Sequence, residues 1–375
     1  VSARLKVAVV GLGVGMAHLE GFKALPKEFE IVAVCDVRAE RAREVARQYG
    51  APHACGDLAE LLAMPDLDVI DLCTPPNLHV AQIRDVLASG KHAICEKPLA
   101  GSLREVDELI ALEAASGRRV MPIFQYRFGH GLQKLKALRD AGVTGEAFLT
   151  TVETAWRRGA DYYTVPWRGR WSTELGGALL SHAIHAHDLL SYVLGPVRSV
   201  FARVATRVNP IEVEDCAAAS LEMADGSLAT LAVTLGSPAE ISRHRFCFRG
   251  LSAESHTAPY TSSADPWTFT PDTPEVARRV EDVLAGFTLL PEGYAGQFLR
   301  FHRALHGGVE LPVTLADARA SLELVTALYA SARSGQAVTL PLGPDDPDYD
   351  GWAPRQVEEP RGVGDAVQAG QTRHQ

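Results

Sequence analysis

The stretch that most constrains this chain is its first. An apolar run, LKVAVV, breaks into GLGVG, passes into a helical MAHLEGF and reaches a second apolar run, EIVAVC, closed by Asp36. Strand, glycine turn, helix, strand and acidic residue in this order are the layout of a dinucleotide-binding unit. Each part has a physical task. Gly11 permits a tight turn and Gly13 lets the backbone approach a pyrophosphate, while the helix N-terminus behind them stabilises its charge. Asp36, 23 residues after Gly13, is placed to accept hydrogen bonds from ribose hydroxyls and to repel a 2′-phosphate, which favours NAD over NADP. Arg38 and Arg41 follow closely; they could tolerate the extra phosphate, but read more simply as exposed charges at the start of a helix. A strict G-x-G-x-x-G would put its third glycine where Met16 stands. Gly15 comes one residue early, so the turn is read as shortened by one residue.

Further strands at DVIDLCTP and KHAICEKP alternate with helical stretches 77–90 and 102–117. That alternation predicts a parallel, doubly wound sheet over residues 1–124. Residues 125–342 read differently. GEAFLTTVETAW, VRSVFARVATR, DCAAASLEM and SLATLAVTL are strand-like, with ADGS as a hairpin turn between the last two,. Residues 343–375 are rich in Pro, Gly and charge and poor in aliphatics. They are expected to be mobile or to form an arm on a neighbouring subunit, because such a segment cannot bury enough surface alone.

The gross numbers exclude several classes. A length of 375 residues suits two or three domains,. A net charge of −9 argues against a nucleic-acid surface,. No apolar run approaches the roughly 20 residues that span a bilayer, so no membrane partner is expected. The six cysteines form no CxxC pair, and read as reduced thiols in a cytoplasmic protein. The chain opens on Val1 and enters a strand almost at once, with no visible signal or transit peptide; an initiator Met or a leader can already be missing,.

Two motifs carry chemistry. In CEKPLAGS, Lys97 ends a parallel strand, where open α/β sheets place their ligands. The plain alternative is a surface ion pair with Glu96. Pro98 follows, and a cis peptide is plausible there. In GGALLSHAIHAHDLL, His182, His185, His187 and Asp188 sit inside an apolar helical run. At about 100° per residue, Ser181, His185 and Asp188 share a face, with His182 at its edge and His187 opposite. The three histidines cannot then hold one metal, and His182 with His185 would need a further ligand from elsewhere, so no metal is expected. Core packing is the reading for His187 and, with His182, an alternative. The stretch AWRRGADYYTVPWRGRW, with Trp156, Arg157, Trp167 and Arg168, suits the wall of a sugar pocket, or equally a domain or subunit contact. IFQYRFGHG sets Gln125 and Arg127 near the crossing between domains.

Taken in order, GLGVG…H, CDVRAERA, CTPPNLH, CEKPLA, WRG…GGALLSHAIHAHDLL and SLELVTALYASARSGQAVTLPL resemble the glucose–fructose oxidoreductase / inositol dehydrogenase / MocA family, from about residue 5 to about residue 342. The resemblance implies an α/β Rossmann domain, then an α+β domain with a large, open, mostly antiparallel sheet. It implies hydride transfer between nicotinamide and a secondary alcohol of a sugar, sugar derivative or cyclic polyol, with Lys97 and His185 as the catalytic pair. Cofactor contacts are implied for Gly11, Gly13, Val14, Gly15 and Met16 of the turn, then Asp36, Val37 and Arg38. They continue through Thr74, Pro75, Pro76, Asn77 and His79 to Glu96, Lys97 and Gln125. Substrate contacts are expected from Lys97, Arg127, Trp156, Arg157, Trp167, Arg168, Ser181, His182 and His185. A homo-oligomer, dimer or tetramer, is implied through the open sheet face.

One departure stands out. Many members carry Asp four residues before the catalytic His, where this chain has Ser181. A serine can bond a sugar hydroxyl but cannot hold a charge. Two other readings stay open: an NAD-dependent glycoside hydrolase working through transient oxidation, and a non-catalytic dinucleotide-binding sensor. A sensor has no chemical need for Lys97 and His185.

Overall fold

The computed structural model describes residues 4–354. The N-terminal run becomes β1 (Leu5–Val10), followed by α1 (Gly15–Lys23), β2 (Phe29–Cys35), α2 (Ala39–Tyr49), β3 (His53–Cys55) and α3 (Leu58–Leu62). The second half of the unit is β4 (Val69–Leu72), α4 (His79–Ala88), β5 (His92–Cys95), α5 (Leu103–Ser116) and β6 (Val120–Pro122). The strands form one parallel sheet in the order β3-β2-β1-β4-β5-β6. Every residue of β4 is buried, as expected of a strand covered by helices on both faces. The order reverses between β1 and β4, so the carboxyl ends of these strands open a crevice.

A helix α6 (His130–Asp140) leads into the second sheet, built on β7 (Ala147–Arg157). After α7 (Ile184–Leu194) come β8 (Val197–Ala205), β9 (Cys216–Met223), β10 (Leu228–Thr234), β11 (Gly236–Phe248), β12 (Leu251–Ser255) and β13 (Trp267–Pro271). Then follow α8 (Pro274–Ala285), α9 (Gly293–Gly307), α10 (Leu315–Ser334) and the short edge strand β14 (Val338–Thr339). The eight strands run β13-β12-β11-β7-β10-β9-β8-β14, antiparallel except for β7 with β10. β10 alternates exposed and buried residues, the mark of a sheet covered on one face only. Leu149, Phe201 and Leu228 lie exposed on the open face.

The two units are stapled by helices. Phe22 of α1 stacks on Phe298 of α9, with centroids 4.0 Å apart and planes at 5°, and Phe29 meets the same ring edge-on. Each of these buried rings contributes roughly 1.5–3 kcal/mol. α10 starts at a capping box between Thr314 and Asp317 and stops at Gly335 in the left-handed region,.

The segment after residue 342 departs from expectation. Residues 343–354 fold back onto their own chain. Trp352 is 1 % exposed and donates to the Leu175 carbonyl, while Tyr349 donates to Asp107. One buried indole supplies the apolar area that the composition of the segment lacks. Residues 355–375, where a mobile tail or arm was expected, lie outside the described residues.

Candidate active site

A cleft of about 1230 Å³ runs between the carboxyl ends of the parallel strands and the second unit. Its first wall is the glycine turn. Gly11 has φ +89°, and a Cβ there would sit 2.5 Å from the Cys73 carbonyl oxygen, so only glycine fits,. Gly13 has open space where a Cβ would go, which leaves its backbone approachable. α1 then begins at Gly15, whose Cβ would stand 2.9 Å from Val9. Gly15 thus takes the close-packing role that the turn, one residue short, cannot give position 16.

Asp36 lies at the mouth of this wall. It accepts from the Leu12 amide at 3.1 Å and from Arg38, backbone and Nε, at 3.0 and 3.1 Å. Burial pushes the Asp36 carboxyl up, but the bonds from Arg38 and Leu12 outweigh this and hold it below its usual range. Val14, Val37, Thr74, Pro75, Pro76 and Gln125 also line the cleft. An open glycine turn, a helix N-terminus and a fixed anion suit the pyrophosphate and ribose of NAD.

Beneath the turn runs a buried polar chain. His18 bonds Asp71 through Nδ1 at 2.7 Å and Glu96 through Nε2 at 3.1 Å. Glu96 also accepts from Tyr294 at 3.0 Å and from the Lys97 amide at 3.0 Å. Burial opposes charge on His18, but Asp71 and Cys73 together outweigh it and raise the imidazole well above its usual value. Glu96 is driven down to about 2, the cost of burial being exceeded by the bond and charge of His18, with Lys97 and His185 adding to it. Among the described residues, His18, Asp71 and Cys73 are the only convergent group of three potential metal ligands. Both nitrogens of His18 are already spent on hydrogen bonds, so the group is a network rather than a vacant site.

The opposite wall brings Lys97, Ser181 and His185 together. Lys97 Nζ donates to the Ser181 carbonyl at 2.7 Å. Burial lowers its pKa, with Glu96 pulling back upward. His185 is buried between Tyr126, stacked at 4.5 Å, and the edge of Phe124. Burial and then the charge of Lys97 push it down to about 3, so the ring is neutral. The helix expected through this motif is not regular. Ala178–His182 form a π turn before α7 starts at Ile184, so the faces inferred at 100° per residue do not carry across residue 182. The turn is held by Glu214, which accepts from the Gly177 amide at 3.1 Å, the Leu179 amide at 2.9 Å and Tyr329 at 2.9 Å.

The loop after β7 closes the cleft. The Arg168 guanidinium lies 3.9 Å from the Tyr162 ring centroid and 4.3 Å from that of Trp167, and also bonds the Tyr162 hydroxyl. Trp167 and Arg168 therefore line the site, joined by Tyr162 and Glu174.

Several predicted contacts are corrected by the geometry. Arg127 does not face the cleft. It is buried, with Nε and Nη2 donating to Asp188 at 2.7 and 2.6 Å and Nη1 3.0 Å from Asp317. Trp156 is buried under Tyr260 and donates to Ser242, while Arg157 points to solvent at the end of β7. His182 packs beside Trp156 and Tyr162 and does not line the cleft; His187 is buried in the core, where the sequence reading put it. On the cofactor side Met16 packs against the core and Asn77 is exposed. His79 spends both ring nitrogens on the Pro98 and Thr74 carbonyls, shaping the two loops rather than reaching past them. Residues unnamed in advance are Tyr162, Glu174 and Tyr294 in the cleft and the His18–Asp71 pair beneath it. A histidine in the helix after the glycines and an aspartate inside an apolar strand were the available signals.

The first unit, residues 5–124, matches the model described as "Oxidoreductase family, NAD-binding Rossmann fold", and residues 132–252 match the "GFO/IDH/MocA C-terminal domain". The chain belongs to this oxidoreductase family. Among its relatives, the D-glucoside 3-dehydrogenase of Escherichia coli is 28 % identical over 364 residues, covering 90 % of this chain and 98 % of that one. The myo-inositol 2-dehydrogenase of Thermotoga maritima is 30 % identical over 204 residues, covering 53 % of this chain and 58 % of that one. The WlbA dehydrogenase of Bordetella pertussis, solved with NADH and UDP-GlcNAcA, superposes with a TM-score of 0.80 at 27 % identity, covering 91 % of this chain and all, 100 %, of that one. No helix among the described residues is long and apolar enough to cross a membrane.

Proposed function

We propose that this chain is an NAD-dependent dehydrogenase that oxidises a secondary alcohol of a sugar or cyclic polyol, or reduces the matching ketone. The observation that carries the reading is the meeting of a half-buried Lys97 and a buried His185 in the same cleft as the glycine turn. Bound nicotinamide supplies the hydride acceptor. The residues of the chain manage the proton. As the carbinol C–H bond breaks, the hydroxyl must lose its proton, and a neutral His185 is able to take it. Lys97, charged and held on the Ser181 carbonyl, stabilises the oxygen as negative charge builds there. Tyr126 and Phe124 fix the imidazole plane, so no reorientation is needed when the substrate arrives.

NAD is favoured over NADP by the Asp36 carboxylate, and relatives named for glucoside and inositol oxidation support a polyhydroxylated substrate. The uncovered sheet face with Leu149, Phe201 and Leu228 supports a homo-oligomer. We place the enzyme in the cytoplasm on its free thiols,.

The test is reduction of NAD and NADP over a panel of aldoses, inositols, sugar acids and glycosides. His185→Ala and Lys97→Ala should lower turnover at least a hundredfold while NAD binding, read by fluorescence, is kept. Normal turnover in either variant overturns the assignment of the pair. Release of a glycosyl leaving group without net NADH would identify a glycosidase on the same fold, and binding without any turnover would identify a sensor.

A further inference from the structure

Glu174 is an odd residue for the wall of a sugar cleft. It is 1 % exposed, yet it lines the cavity with Lys97, Ser181 and His185. One carboxylate oxygen, Oε2, accepts from the Gly169 amide at 2.5 Å, which anchors the loop. The other, Oε1, is buried and makes no hydrogen bond of normal geometry; burial pushes the carboxyl up, with the nearby Arg168 guanidinium and Ser181 hydroxyl pulling it back down. The nearest cation is the Arg168 guanidinium at 3.6 Å, beyond hydrogen-bond length and already committed to Tyr162. A buried carboxylate oxygen without a donor is costly, and a native site keeps one where a ligand completes it. The donors that a polyol brings are hydroxyl groups.

We propose that Glu174 is a substrate-orienting residue whose free Oε1 accepts a hydroxyl of the substrate and selects neutral polyols over sugar acids. The selection follows from charge. A substrate carboxylate placed against Oε1 would meet a like charge in a site sheltered from water, whereas a hydroxyl gains a charge-assisted bond. Arg168, 3.6 Å from Oε1, and Lys97 offset part of this repulsion, so the selection is confined to the substrate group that meets Oε1 itself. The inference rests on the dehydrogenase reading above, because it names the substrate of that reaction.

Glu174→Gln in the full chain is the first variant. The Gln carbonyl retains the bond from the Gly169 amide, and an NH₂ group replaces the acceptor. For the best neutral substrate of the panel, KM is expected to rise about tenfold or more with a smaller change in kcat. NAD binding stays as in the wild type and Tm does not fall. Against the matching uronate, the kcat/KM preference for the neutral sugar falls at least tenfold. The decisive arm uses deoxy analogues, each lacking one hydroxyl: the wild type discriminates against one of them, and Glu174→Gln loses that discrimination. A purely structural role would leave this discrimination intact. If Glu174→Gln does not fold, Glu174→Asp, which keeps the charge but withdraws it, is measured with the same analogues and must lose the same discrimination. NADH formation that is abolished in His185→Ala but unchanged in Glu174→Gln, for every analogue, overturns this inference and leaves the dehydrogenase standing. A wild-type preference for the uronate overturns the selection of neutral polyols. No NADH from any polyol with the wild-type chain overturns both.

Discussion

The two walls of the cleft are built by different means. The cofactor wall comes from one short stretch and is mostly backbone: a glycine that alone tolerates its φ, a second that leaves open space, and a single carboxylate on neighbouring amides. The substrate wall is side chain throughout. It gathers Lys97, Trp167, Glu174, Ser181, His185 and Tyr294 from five separate segments of the chain. A wall of the first kind is fixed by local geometry. One of the second kind depends on whatever holds those segments together, and here that is a set of buried charges behind the cleft. Arg127 ties the segment after β6 to α7 and to the start of α10, through Asp188 and Asp317. Glu214 holds the π turn that carries Ser181.

The strongest way to break the second wall without touching the cleft is Arg127→Ala. It leaves Asp188, 2 % exposed, without its partner. Removing one member of a buried pair costs roughly 3–5 kcal/mol, so a large fall in Tm or in the urea midpoint is expected. Where the variant is still folded, KM should be close to that of the wild type. A raised KM at unchanged stability would return Arg127 to the substrate and undo the comparison.

Legibility in the sequence follows the same division. The parallel sheet and the glycine turn were readable because alternation of strand and helix and the spacing of two glycines are local signals. The strands β7 to β10 were readable from their patterning, but β11 to β14 were not. β11 contains the polar, proline-bearing stretch SPAEISRH within the strand, with a register shift between Gly236 and Ile241, and β12 to β14 are only 5, 5 and 2 residues long. That Lys97 and His185 come to line the cleft was legible through their motifs. Arg127 was misplaced because a charged residue near a domain crossing reads as a ligand contact, while its partners lie 61 and 190 positions away in sequence. Glu174 and Tyr294 were missed for the reverse reason: each is an ordinary residue locally, and only the tertiary fold turns it into the cleft. The faces assigned to Ser181 and Asp188 failed at the π turn, which no periodicity announces.

A smaller effect is expected at Glu214, and it depends on pH. Burial pushes this carboxyl up from its ordinary 4.5 to about 7, against the bonds from Leu179, Tyr329 and Gly177. The folded state therefore holds the proton more tightly than the unfolded chain. Its contribution to stability is complete below the unfolded value and is lost as pH rises through the folded one. Glu214→Gln cannot titrate, so the margin of wild type over variant should be widest at about pH 4 and shrink by on the order of 3 kcal/mol by about pH 8. Denaturant midpoints across that range read it directly; a margin that stays constant would mean that the carboxyl is ionised throughout. Turnover should fall in the variant as well, because the π turn places the carbonyl that receives Lys97.

The smallest effect belongs to the cofactor wall, and it sharpens the contrast. Asp36 has its charge set against Arg38, whose side chain is 70 % exposed. Asp36→Asn retains an acceptor for the Leu12 amide but removes the charge that would repel a 2′-phosphate and releases Arg38 from its ion pair. The ratio of kcat/KM with NADP to that with NAD should rise about tenfold, or 1.4 kcal/mol, with Tm nearly unchanged. The modest size is itself informative: on a wall made of backbone, one side chain adjusts preference between two closely related ligands, and the pyrophosphate contacts stay as they are. A ratio that does not move would put the discrimination in Val37 and the loop beyond it. A loss of binding to both cofactors would show instead that Asp36 matters chiefly as the brace of the glycine turn through Leu12.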